Sequence, residues 1–308
     1  MQTNQFISTL SHSFDSKIKL KLLRLDLLHP TVQGNKHYKL LYNLKKAKEE
    51  NAKTLITFGG AFSNHIHATA LAGQKQGFKT IGIIRGENSS NLNPTLKAAQ
   101  NANMQLIFAD RATFKTFREN HFNQFVTQDF LNSKSVPIEN STYILPEGGT
   151  NKLAIKGAEE ILHEINDFDI VCLPVGTGGT MAGIISFLNG HKKVLGFCSL
   201  KGDFSKYDVQ NLLKSIQKDQ LQNWEINNDF HFGGYAKWKP ELISFINQFY
   251  KEYQIPLCPI YTGKMMFGIF ELIKKDYFKE TPKILAIHTG GLQGIKGFNA
   301  LNGDLINL

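Results

Sequence analysis

The sequence predicts an α/β fold with mostly parallel strands, because strand-like and helix-like segments alternate along most of the chain. The apolar segment 54–58 is typical of a buried strand, and the pattern over 63–76 is typical of the helix that would follow it. Gly-rich turns stand where four of the predicted strands end. Parallel sheets bind ligands at the carboxyl ends of their strands, so these turns form the expected site.

Further elements continue this alternation as far as residue 287. Apolar residues in the segment 154–164 recur with a period near that of a helix with one buried face. The segment 203–228 is polar and helical in character, and a surface excursion or a lid is predicted there. The other predicted strands are 79–84, 105–108, 142–145, 169–173, 193–197 and 283–287, and the other predicted helices are 36–50, 94–101, 114–131, 240–253, 265–275 and one that begins near Met181.

The composition is that of an ordinary globular protein. The 308 residues are 42% hydrophobic and 20% charged, with a net charge of +9. The lysines stand singly or in short groups such as Lys45-Lys46, and no long basic run is interleaved with aromatic residues, so no nucleic-acid partner is expected. No segment approaches the roughly 18 apolar residues that a membrane span needs, so no membrane partner is expected either.

The cysteines and the N-terminal stretch predict a cytoplasmic location. Cys172, Cys198 and Cys258 are far apart, each lies in an apolar stretch, and no pair has the spacing of a redox motif. Reduced thiols in the core are therefore expected. Residues 1–13 lack a basic patch followed by an apolar segment, so no signal peptide is expected.

The first candidate site residue is Lys36. Gly34-Asn35-Lys36 opens a predicted helix whose first carboxylate is Glu49. A cation at this end is unfavourable by roughly 0.3–1 kcal/mol, because a helix N-terminus carries partial positive charge. The same field, together with Lys39 one turn later, would lower the pKa of the amine and favour the neutral form that reacts with a carbonyl cofactor. A solvated loop lysine is the alternative, and it is the better interpretation of an isolated Gly-Asn-Lys.

The turn after the segment 54–58 places Ser63, Asn64 and His65 at the start of a predicted helix. Ser63 could simply cap this helix. Alternatively, its hydroxyl and the N–H groups of the first turn could hold a substrate carboxylate. His65 and His67 are two residues apart and do not share a helix face, so they are not a metal-binding pair. Since the sequence has no other cluster of His and Cys, no metal site is expected.

The turn formed by Gly176, Thr177, Gly178, Gly179 and Thr180 predicts a phosphate-binding loop. Its glycines allow a phosphate to approach the backbone, and its threonine hydroxyls stand at a predicted helix N-terminus. A dinucleotide-binding turn would need a third glycine where a methionine follows, and no Walker loop is present. An ordinary tight turn between strand and helix is the alternative to a phosphomonoester site.

Tyr235 and Tyr261 also lie beside glycine turns, although tyrosines in such places are usually packing residues with a bonded hydroxyl. Taken together, the motifs resemble those of one known family, the 1-aminocyclopropane-1-carboxylate deaminase/D-cysteine desulfhydrase family of pyridoxal-phosphate enzymes. The resemblance spans nearly the whole chain. The stretches that carry it are Gly34-Asn35-Lys36 with Lys39-Leu40, Gly59-Gly60 with Ser63-Asn64-His65, Gly176 to Thr180, and Tyr261-Thr262-Gly263-Lys264.

The resemblance implies the tryptophan-synthase-β-like fold (fold type II), in which two open, twisted, mostly parallel sheets are flanked by helices. It implies a larger cofactor-binding domain formed by residues 1–45 and 147–308, with residues 46–146 as a smaller inserted domain. It also implies pyridoxal 5'-phosphate as the cofactor, a small amino acid as the substrate, and a homodimer.

The resemblance further assigns roles to individual positions. Lys36 would form a Schiff base with the cofactor, and Asn64 would hold the cofactor's 3-oxygen. The loop from Gly176 to Thr180 would hold the phosphate. Ser63, Asn64 and His65 would lie near the carboxylate of the substrate. Tyr261 and the more weakly matched Tyr235 would face the substrate as catalytic phenols. Thr262 would face the pyridine nitrogen of the cofactor.

Thr262 departs from the family pattern, since many aminocyclopropane carboxylate deaminases carry glutamate at this position. A carboxylate there keeps the pyridine nitrogen protonated and makes the cofactor a strong electron sink, whereas a hydroxyl can serve a neutral nitrogen. The expected function is therefore that of a D-cysteine desulfhydrase-like lyase, which forms pyruvate, ammonia and sulfide by β-elimination. The alternatives are a 1-aminocyclopropane-1-carboxylate deaminase, which forms 2-oxobutanoate and ammonia, and a non-catalytic regulatory protein that binds the same cofactor.

Overall fold

The computed structural model describes residues 3–10, 18–29, 31–88, 91–137, 141–278 and 282–308. Part of the stretch examined for a signal peptide, residues 1, 2 and 11–13, lies outside the described residues. The described strands form two sheets, one of six strands and one of four. In chain order the strands are β1 (Ile7–Leu10), β2 (Lys19–Arg24), β3 (Thr54–Gly60), β4 (Lys79–Arg85), β5 (Met104–Ala109), β6 (Thr142–Leu145), β7 (Ile170–Val175), β8 (Lys193–Cys198), β9 (Trp224–Asn227) and β10 (Lys283–His288).

The larger sheet has the strand order β1-β2-β10-β7-β8-β9. β1 and β2 are antiparallel, and every other neighbouring pair in this sheet is parallel. The register places Ile284 of β10 opposite Leu20 of β2 on one side and Ile170 of β7 on the other. After Ile170 the whole of β7 is buried, as is usual for a central parallel strand that helices cover on both faces.

The smaller sheet is entirely parallel, with the strand order β5-β4-β3-β6. Successive residues Ile83 and Ile84 of β4 belong to different apolar clusters, because side chains alternate between the two faces of a strand. One of these clusters is built around the packed rings of Phe58, Phe114 and Phe117. The predicted fold class, open and mostly parallel sheets flanked by helices, is confirmed.

The α-helices that cover the sheets are, in chain order, α1 (Asn35–Glu49), α2 (Asn64–Gln76), α3 (Pro94–Asn101), α4 (Arg111–Glu119), α5 (Gln124–Ser133), α6 (Lys152–Glu159), α7 (Gly179–Leu188), α8 (Phe204–Ser215), α9 (Pro240–Tyr253), α10 (Thr262–Lys274) and α11 (Gln293–Asn302). α1 connects the cores of the two sheets. Its Tyr38 packs in a cluster with Leu173 of the larger sheet, whereas Leu40 and Leu44 pack with Leu55 of the smaller one. The N-terminus of α1 is therefore held where the two sheets meet.

Several segments differ from the sequence-based predictions. The segment 203–228 contains α8 and the edge strand β9, which pairs in parallel with β8, so it completes the larger sheet and is not a separate lid. The predicted helix over 114–131 is two helices, because His121 and Phe122 between them have positive φ. α10 begins three residues earlier than predicted, and β1, β2 and α11 are absent from the predicted elements.

All four strands of the smaller sheet lie within the range 46–146 that was assigned to an inserted domain, although the division into domains itself stays a prediction. Cys172, Cys198 and Cys258 are buried and form no disulfide. Within the described ranges, none of the helices combines the length and the apolar character that crossing a bilayer would require.

Candidate active site

A cavity of about 930 Å³ lies where strands of both sheets end. The smaller sheet contributes Gly60 and Arg85 to its wall, and the larger sheet contributes Thr289 and the turn after β7. The cavity therefore stands at the carboxyl ends of parallel strands, which is the position that the α/β pattern predicts. Of the predicted site residues, those that line the cavity are Lys36, Ser63, Asn64, His65, Gly176, Thr177, Gly178, Gly179, Thr180, Tyr235 and Tyr261.

Lys36 enters this cavity from the first turn of α1. Gly34 caps the helix with φ of 68°, and a Cβ at this position would lie only 2.0 Å from the carbonyl oxygen of Thr289, so no other residue type fits. The N–H of Asn35 donates to the same oxygen at 3.2 Å, which ties the turn to the end of β10. Burial lowers the pKa of the half-buried Lys36 amine to about 8. The predicted direction is confirmed, but the cause is burial and not the charge of Lys39.

Lys39 entered the sequence analysis only as a charge near Lys36, and no binding role was assigned to it. Its side chain is 1% exposed, and its Nζ donates to Oγ1 of Thr150 at 2.7 Å and to Oγ1 of Thr177 at 3.4 Å. Burial and the nearby charge of Lys36 hold the pKa of Lys39 well below its usual range. The three-residue spacing from Lys36 places both amines on one face of α1, and that spacing was the available signal.

The loop from Gly176 to Thr180 forms a cradle for an anion. α7 begins in this loop, its first turn contains no acidic residue, and no side chain caps its N–H groups. Thr180 Oγ1 accepts a hydrogen bond from Asn35 at 2.8 Å, so the loop is joined to the turn that carries Lys36. A Cβ at Gly179 would lie 3.1 Å from the Nζ of Lys39. A helix N-terminus beside a buried amine suits a phosphate group.

Ser63, Asn64 and His65 mark the start of α2. Ser63 Oγ accepts from the N–H groups of His65 and Ile66 at 3.2 Å each, so Ser63 caps the helix and also lines the cavity. Asn64 Oδ1 accepts from Gln293 at 2.6 Å. These contacts hold the side chains of Ser63 and Asn64 at the cavity wall.

His65 is buried beneath this helix start. Its Nε2 is hydrogen-bonded to Thr57 Oγ1 at 2.8 Å, and its Nδ1 lies 3.5 Å from Thr69 Oγ1. Burial and the charges of Lys36 and Lys39 hold the pKa of His65 well below its usual range, so the ring is neutral. Both ring nitrogens therefore have threonine partners. No group of three or more potential metal-binding side chains occurs among the described residues.

Tyr235 and Tyr261 stand together in the cavity wall, with ring centroids 6.3 Å apart. Their rings meet edge to face, and the hydroxyl of Tyr235 donates to the carbonyl of Phe62 at 3.4 Å. Burial raises the pKa of Tyr235 to about 12 and that of Tyr261 well above its usual range. Both phenols consequently keep their protons at neutral pH. The sequence alone favoured packing roles, whereas the structure places both rings at the cavity.

Thr262, the residue after Tyr261, is fully buried and does not itself line the cavity. Its Oγ1 accepts from the N–H of Cys258 at 2.8 Å. The hydroxyl hydrogen of Thr262 has no acceptor within the described part of the chain. This residue therefore stands at the start of α10, one position from the cavity, with a hydrogen available for donation.

An acidic and basic cluster, which the sequence analysis also missed, lines another part of the cavity. Glu147 accepts two hydrogen bonds from Arg118, at 2.7 and 2.9 Å, and lies 3.9 Å from Arg85. Burial raises the pKa of Asp208, which lines the cavity from α8. These residues come from four separate elements, so no local sequence pattern predicts that they lie together.

Comparison with known proteins identifies the cofactor. A family model described as "Pyridoxal-phosphate dependent enzyme" matches residues 7–290. A putative 1-aminocyclopropane-1-carboxylate deaminase from Thermotoga maritima is 30% identical, over 94% of this chain and 94% of the relative. The chain belongs to this family of pyridoxal-phosphate-dependent enzymes. A bifunctional D-cysteine desulfhydrase/1-aminocyclopropane-1-carboxylate deaminase from Arabidopsis thaliana is also 30% identical, over 90% of this chain and 73% of the relative.

Solved structures support the same relationship. A crystal structure described as an ACC deaminase homologue superposes with a TM-score of 0.81 at 25% identity, over 97% of this chain and 93% of the other. Maize serine racemase has a TM-score of 0.61 at 15% identity, over 94% of this chain and 90% of the other, which shows the fold alone. The family resemblance and the tryptophan-synthase-β-like fold are thus confirmed, and the chain is an enzyme whose cofactor is pyridoxal phosphate.

The residues present fit this cofactor. A buried amine with a lowered pKa can react with its aldehyde, and Lys36 is such an amine. The N-terminus of α7, with Lys39 beside Gly179, can hold its phosphate. Both features face one cavity.

Proposed function

We propose that this enzyme is a lyase that removes the β-substituent of a small amino acid, and that D-cysteine is its preferred substrate. The overall reaction converts D-cysteine and water into pyruvate, ammonia and hydrogen sulfide. The observation that carries the proposal is the first turn of α10. This turn contains no acidic residue and has Thr262 at the position where many aminocyclopropane carboxylate deaminases carry glutamate.

Cofactor binding is assigned to the cavity wall that α1, α2 and α7 form. Lys36 would bind the cofactor covalently, and its burial supports this role because a neutral amine is required. The N–H groups at the start of α7 and the amine of Lys39 would hold the phosphate. Asn64, fixed by Gln293, would contact the cofactor's 3-oxygen.

Bound pyridoxal phosphate withdraws electrons from the α-carbon of an amino acid, which makes the proton on that carbon removable. The amine of Lys36, released from the cofactor when the amine of the substrate takes its place, would accept this proton, since burial already favours the form that can do so. Tyr261, protonated at neutral pH, would donate to the departing sulfur atom while the ring of Tyr235 packs against its own ring. These roles place proton acceptor and proton donor in one cavity.

Substrate binding is assigned to the start of α2. Ser63 would hold the substrate carboxylate through its hydroxyl, which lines the cavity. Asn64 borders the same space and would contact the substrate as well as the cofactor. His65 would support this helix start from below, because both of its ring nitrogens already have threonine partners.

Thr262 carries the preference for D-cysteine. Its oxygen accepts from Cys258, so its hydrogen can be donated to a ring nitrogen that lacks a proton. The positive end of α10 also disfavours a protonated nitrogen nearby. A cofactor with a neutral nitrogen withdraws electrons less strongly. Loss of thiolate tolerates this because thiolate is a good leaving group, whereas opening an unactivated cyclopropane is more demanding.

Deamination of 1-aminocyclopropane-1-carboxylate to 2-oxobutanoate and ammonia is the second candidate. The name of the Thermotoga maritima relative favours it, and the name of the Arabidopsis thaliana relative includes both activities. The relatives indicate an enzyme, which disfavours the alternative of a non-catalytic regulatory protein.

The test is keto-acid release from D- and L-cysteine, D- and L-serine, β-chloroalanine and aminocyclopropane carboxylate. Wild-type enzyme should release pyruvate from D-cysteine, and Lys36→Ala should release none. Borohydride reduction followed by peptide mapping should find the pyridoxyl group on Lys36. Attachment to a different lysine, or the absence of keto acid with every substrate, would contradict the proposal.

The homodimer that the family resemblance implies is also retained as a proposal. Light scattering of the purified holoenzyme should give twice the mass of one chain. A mass equal to one chain, at concentrations used for the assay, would contradict it.

A further inference from the structure

Lys264 is a buried lysine that the reaction outlined above does not use. It lies in the first turn of α10, three residues after Tyr261, and its side chain is 1% exposed. Its Nζ donates to the carbonyl oxygen of Gly234 at 2.7 Å and to that of His231 at 2.8 Å. No ion pair within the described part of the chain includes Lys264. Two carbonyl groups are thus the contacts that satisfy this amine.

This arrangement is unfavourable for a residue whose only role is stability. A buried ammonium group without a carboxylate is poorly compensated for the loss of water. The N-terminus of a helix adds a second unfavourable contribution, because its partial charge is also positive. Burial accordingly lowers the pKa of Lys264 to about 8. Local rules are broken in this way mainly at functional sites.

The segment that Lys264 holds has little regular structure. Phe232, Gly233, Gly234 and Ala236 all have positive φ, between 54° and 114°. Positive φ is ordinary for the two glycines, but at Phe232 and Ala236 it is maintained only where surrounding contacts over-determine it. The two carbonyls that Lys264 holds therefore fix a segment that would otherwise have many conformations.

Tyr235 is the aromatic residue that this segment places in the cavity. It follows Gly234 directly, and its ring lies edge to face against that of Tyr261, with centroids 6.3 Å apart. Tyr261 stands one turn before Lys264 on the chain. Lys264 therefore bridges the two backbone segments that carry the paired phenols.

We propose that Lys264 is a positioning residue that holds the ring of Tyr235 in edge-to-face contact with the ring of Tyr261. Without it, the segment 231–236 would relax, and Tyr261 would lose the neighbouring ring that fixes its position. A displacement of about 1 Å in a catalytic group can lower a rate by about a hundredfold, so a device that fixes this contact has a functional consequence. The inference rests on the roles proposed above for the two tyrosines.

The first test compares Lys264→Met with Lys274→Met. Methionine keeps most of the apolar stem but has no donor, and Lys274 is an exposed lysine on the same helix, paired with Glu271. In the apoenzyme and the holoenzyme, amide hydrogen exchange in the peptide 231–237 should be at least about tenfold faster in Lys264→Met, while strand β7 is unchanged. Lys274→Met should leave both peptides unchanged. Equal acceleration throughout the chain, or none in 231–237, would overturn the proposal.

The second test is a double-mutant cycle with Tyr235→Ala. Lys264→Met should lower kcat about tenfold with little change in KM, because the tyrosines act on the reacting atoms and substrate binding uses α2. In the Tyr235→Ala background the same change should have almost no further effect on kcat. An undiminished effect in that background would show that Lys264 acts independently of Tyr235.

Lys264→Gln is a second variant that keeps the proposal testable if Lys264→Met does not fold. Its shorter amide can still donate to one carbonyl, so exchange in 231–237 and kcat should both lie between those of wild type and Lys264→Met. A glutamine variant as impaired as the methionine variant in both measurements would contradict the proposal. Hydrogen exchange does not depend on the substrate, so a wrong substrate assignment leaves that measurement decisive.

Discussion

The amine of Lys39 donates to the hydroxyl of Thr150 at 2.7 Å, and together they close one side of the cradle formed by the start of α7. The two residues are 111 positions apart in the sequence. Thr150 Oγ1 is also hydrogen-bonded to Thr177 Oγ1 at 2.6 Å, so a chain of polar groups links α1 to the loop after β7. These linked hydrogen bonds preorganise the cradle for an anion.

Replacement of Lys39 should therefore weaken cofactor binding without weakening the apoprotein. Lys39→Met removes a cation from the phosphate site, and a lost charge-assisted hydrogen bond of about 1.5–3 kcal/mol corresponds to a tenfold to hundredfold increase in the Kd for pyridoxal phosphate. The same change relieves a buried amine next to Lys36, so the Tm of the apoprotein should stay equal or rise. Cofactor titration and thermal melts measure the two effects, with exposed Lys48→Met on the same helix as the control. A parallel fall in Tm would indicate a structural role.

Substitutions at the adjacent glycines Gly178 and Gly179 should distinguish an effect on cofactor binding from an effect on folding stability. A Cβ at Gly179 would lie 2.9 Å from Cγ2 of Thr150 and 3.1 Å from the Nζ of Lys39, both in the cradle, and φ there is not positive, so Gly179→Ala should raise the Kd for the cofactor more than it lowers Tm. A Cβ at Gly178 would instead meet Val209 at 2.9 Å, and φ there is 76°. Gly178→Ala should therefore lower stability by about 1–3 kcal/mol, through strain. The reverse pattern in titrations and melts would show that the cradle is not at Gly179.

The amine of Lys36 should titrate near pH 8 in the apoenzyme, because burial disfavours its charged form. Below that pH the amine is protonated and unreactive, and above it the neutral form predominates. Competitive labelling with an amine reagent, read out by mass spectrometry against exposed Lys48, gives the midpoint. Lys39→Met should leave the midpoint unchanged, since burial and not that neighbour is the cause. A midpoint that rises in this variant would show that the charge of Lys39 sets the pKa.

Asp26, which lies just after the carboxyl end of β2, should make a large contribution to the stability of the folded protein. It accepts from Arg24 at 2.6 Å and lies 3.0 Å from Nδ1 of His288, the last residue of β10 before the turn that contacts Gly34. Asp26→Asn should lower the free energy of unfolding by about 3–5 kcal/mol, because it leaves the buried Arg24 without its counter-charge. Asp167→Asn, which affects exposed pairs with Lys21 and Lys283, should have a much smaller effect.

The pH dependence of this effect has a defined sign. Burial alone would raise the pKa of Asp26, but His288 and Arg24 outweigh it and hold the pKa below its usual range. A lowered folded-state pKa means that the stabilisation is present above the unfolded-state value and is lost as pH falls below it. In urea unfolding, the difference between wild type and Asp26→Asn should be constant from pH 7 to pH 5 and shrink below about pH 4. A difference that already falls between pH 7 and pH 5 would contradict this assignment.

The sequence predicts the parts of the fold that have strong local patterns. β3 and β4 have apolar, buried interiors, and Asn93 and Pro94 mark the start of α3, so their positions agree with prediction. The helical character of α8 was predicted, but β9 was missed, because an edge strand and its covering helix each have one exposed face. A polar segment of this kind has the same composition whether it joins a sheet or projects from it.

In the candidate site, too, residues with a local sequence signal could be predicted and residues that depend on long-range packing could not. Lys36, Ser63 and the loop after β7 lie at the ends of recognisable strands or the starts of helices, where a glycine or a capping residue marks them. The contacts of Lys39 with Thr150, and of Lys264 with Gly234, depend on packing between distant segments. Local pattern contains no information about such pairs until the fold brings them together.

The central claim is that the hydroxyl of Thr262, in a helix start without a carboxylate, favours elimination of thiolate over opening of a cyclopropane. The most direct test is kcat/KM for D-cysteine and for 1-aminocyclopropane-1-carboxylate, measured with one preparation of the holoenzyme. The prediction is a higher kcat/KM for D-cysteine, and a smaller difference between the substrates in Thr262→Glu, where a protonated ring nitrogen is restored. A wild-type enzyme with the higher kcat/KM for the cyclopropane substrate would contradict the account and assign the deaminase activity instead.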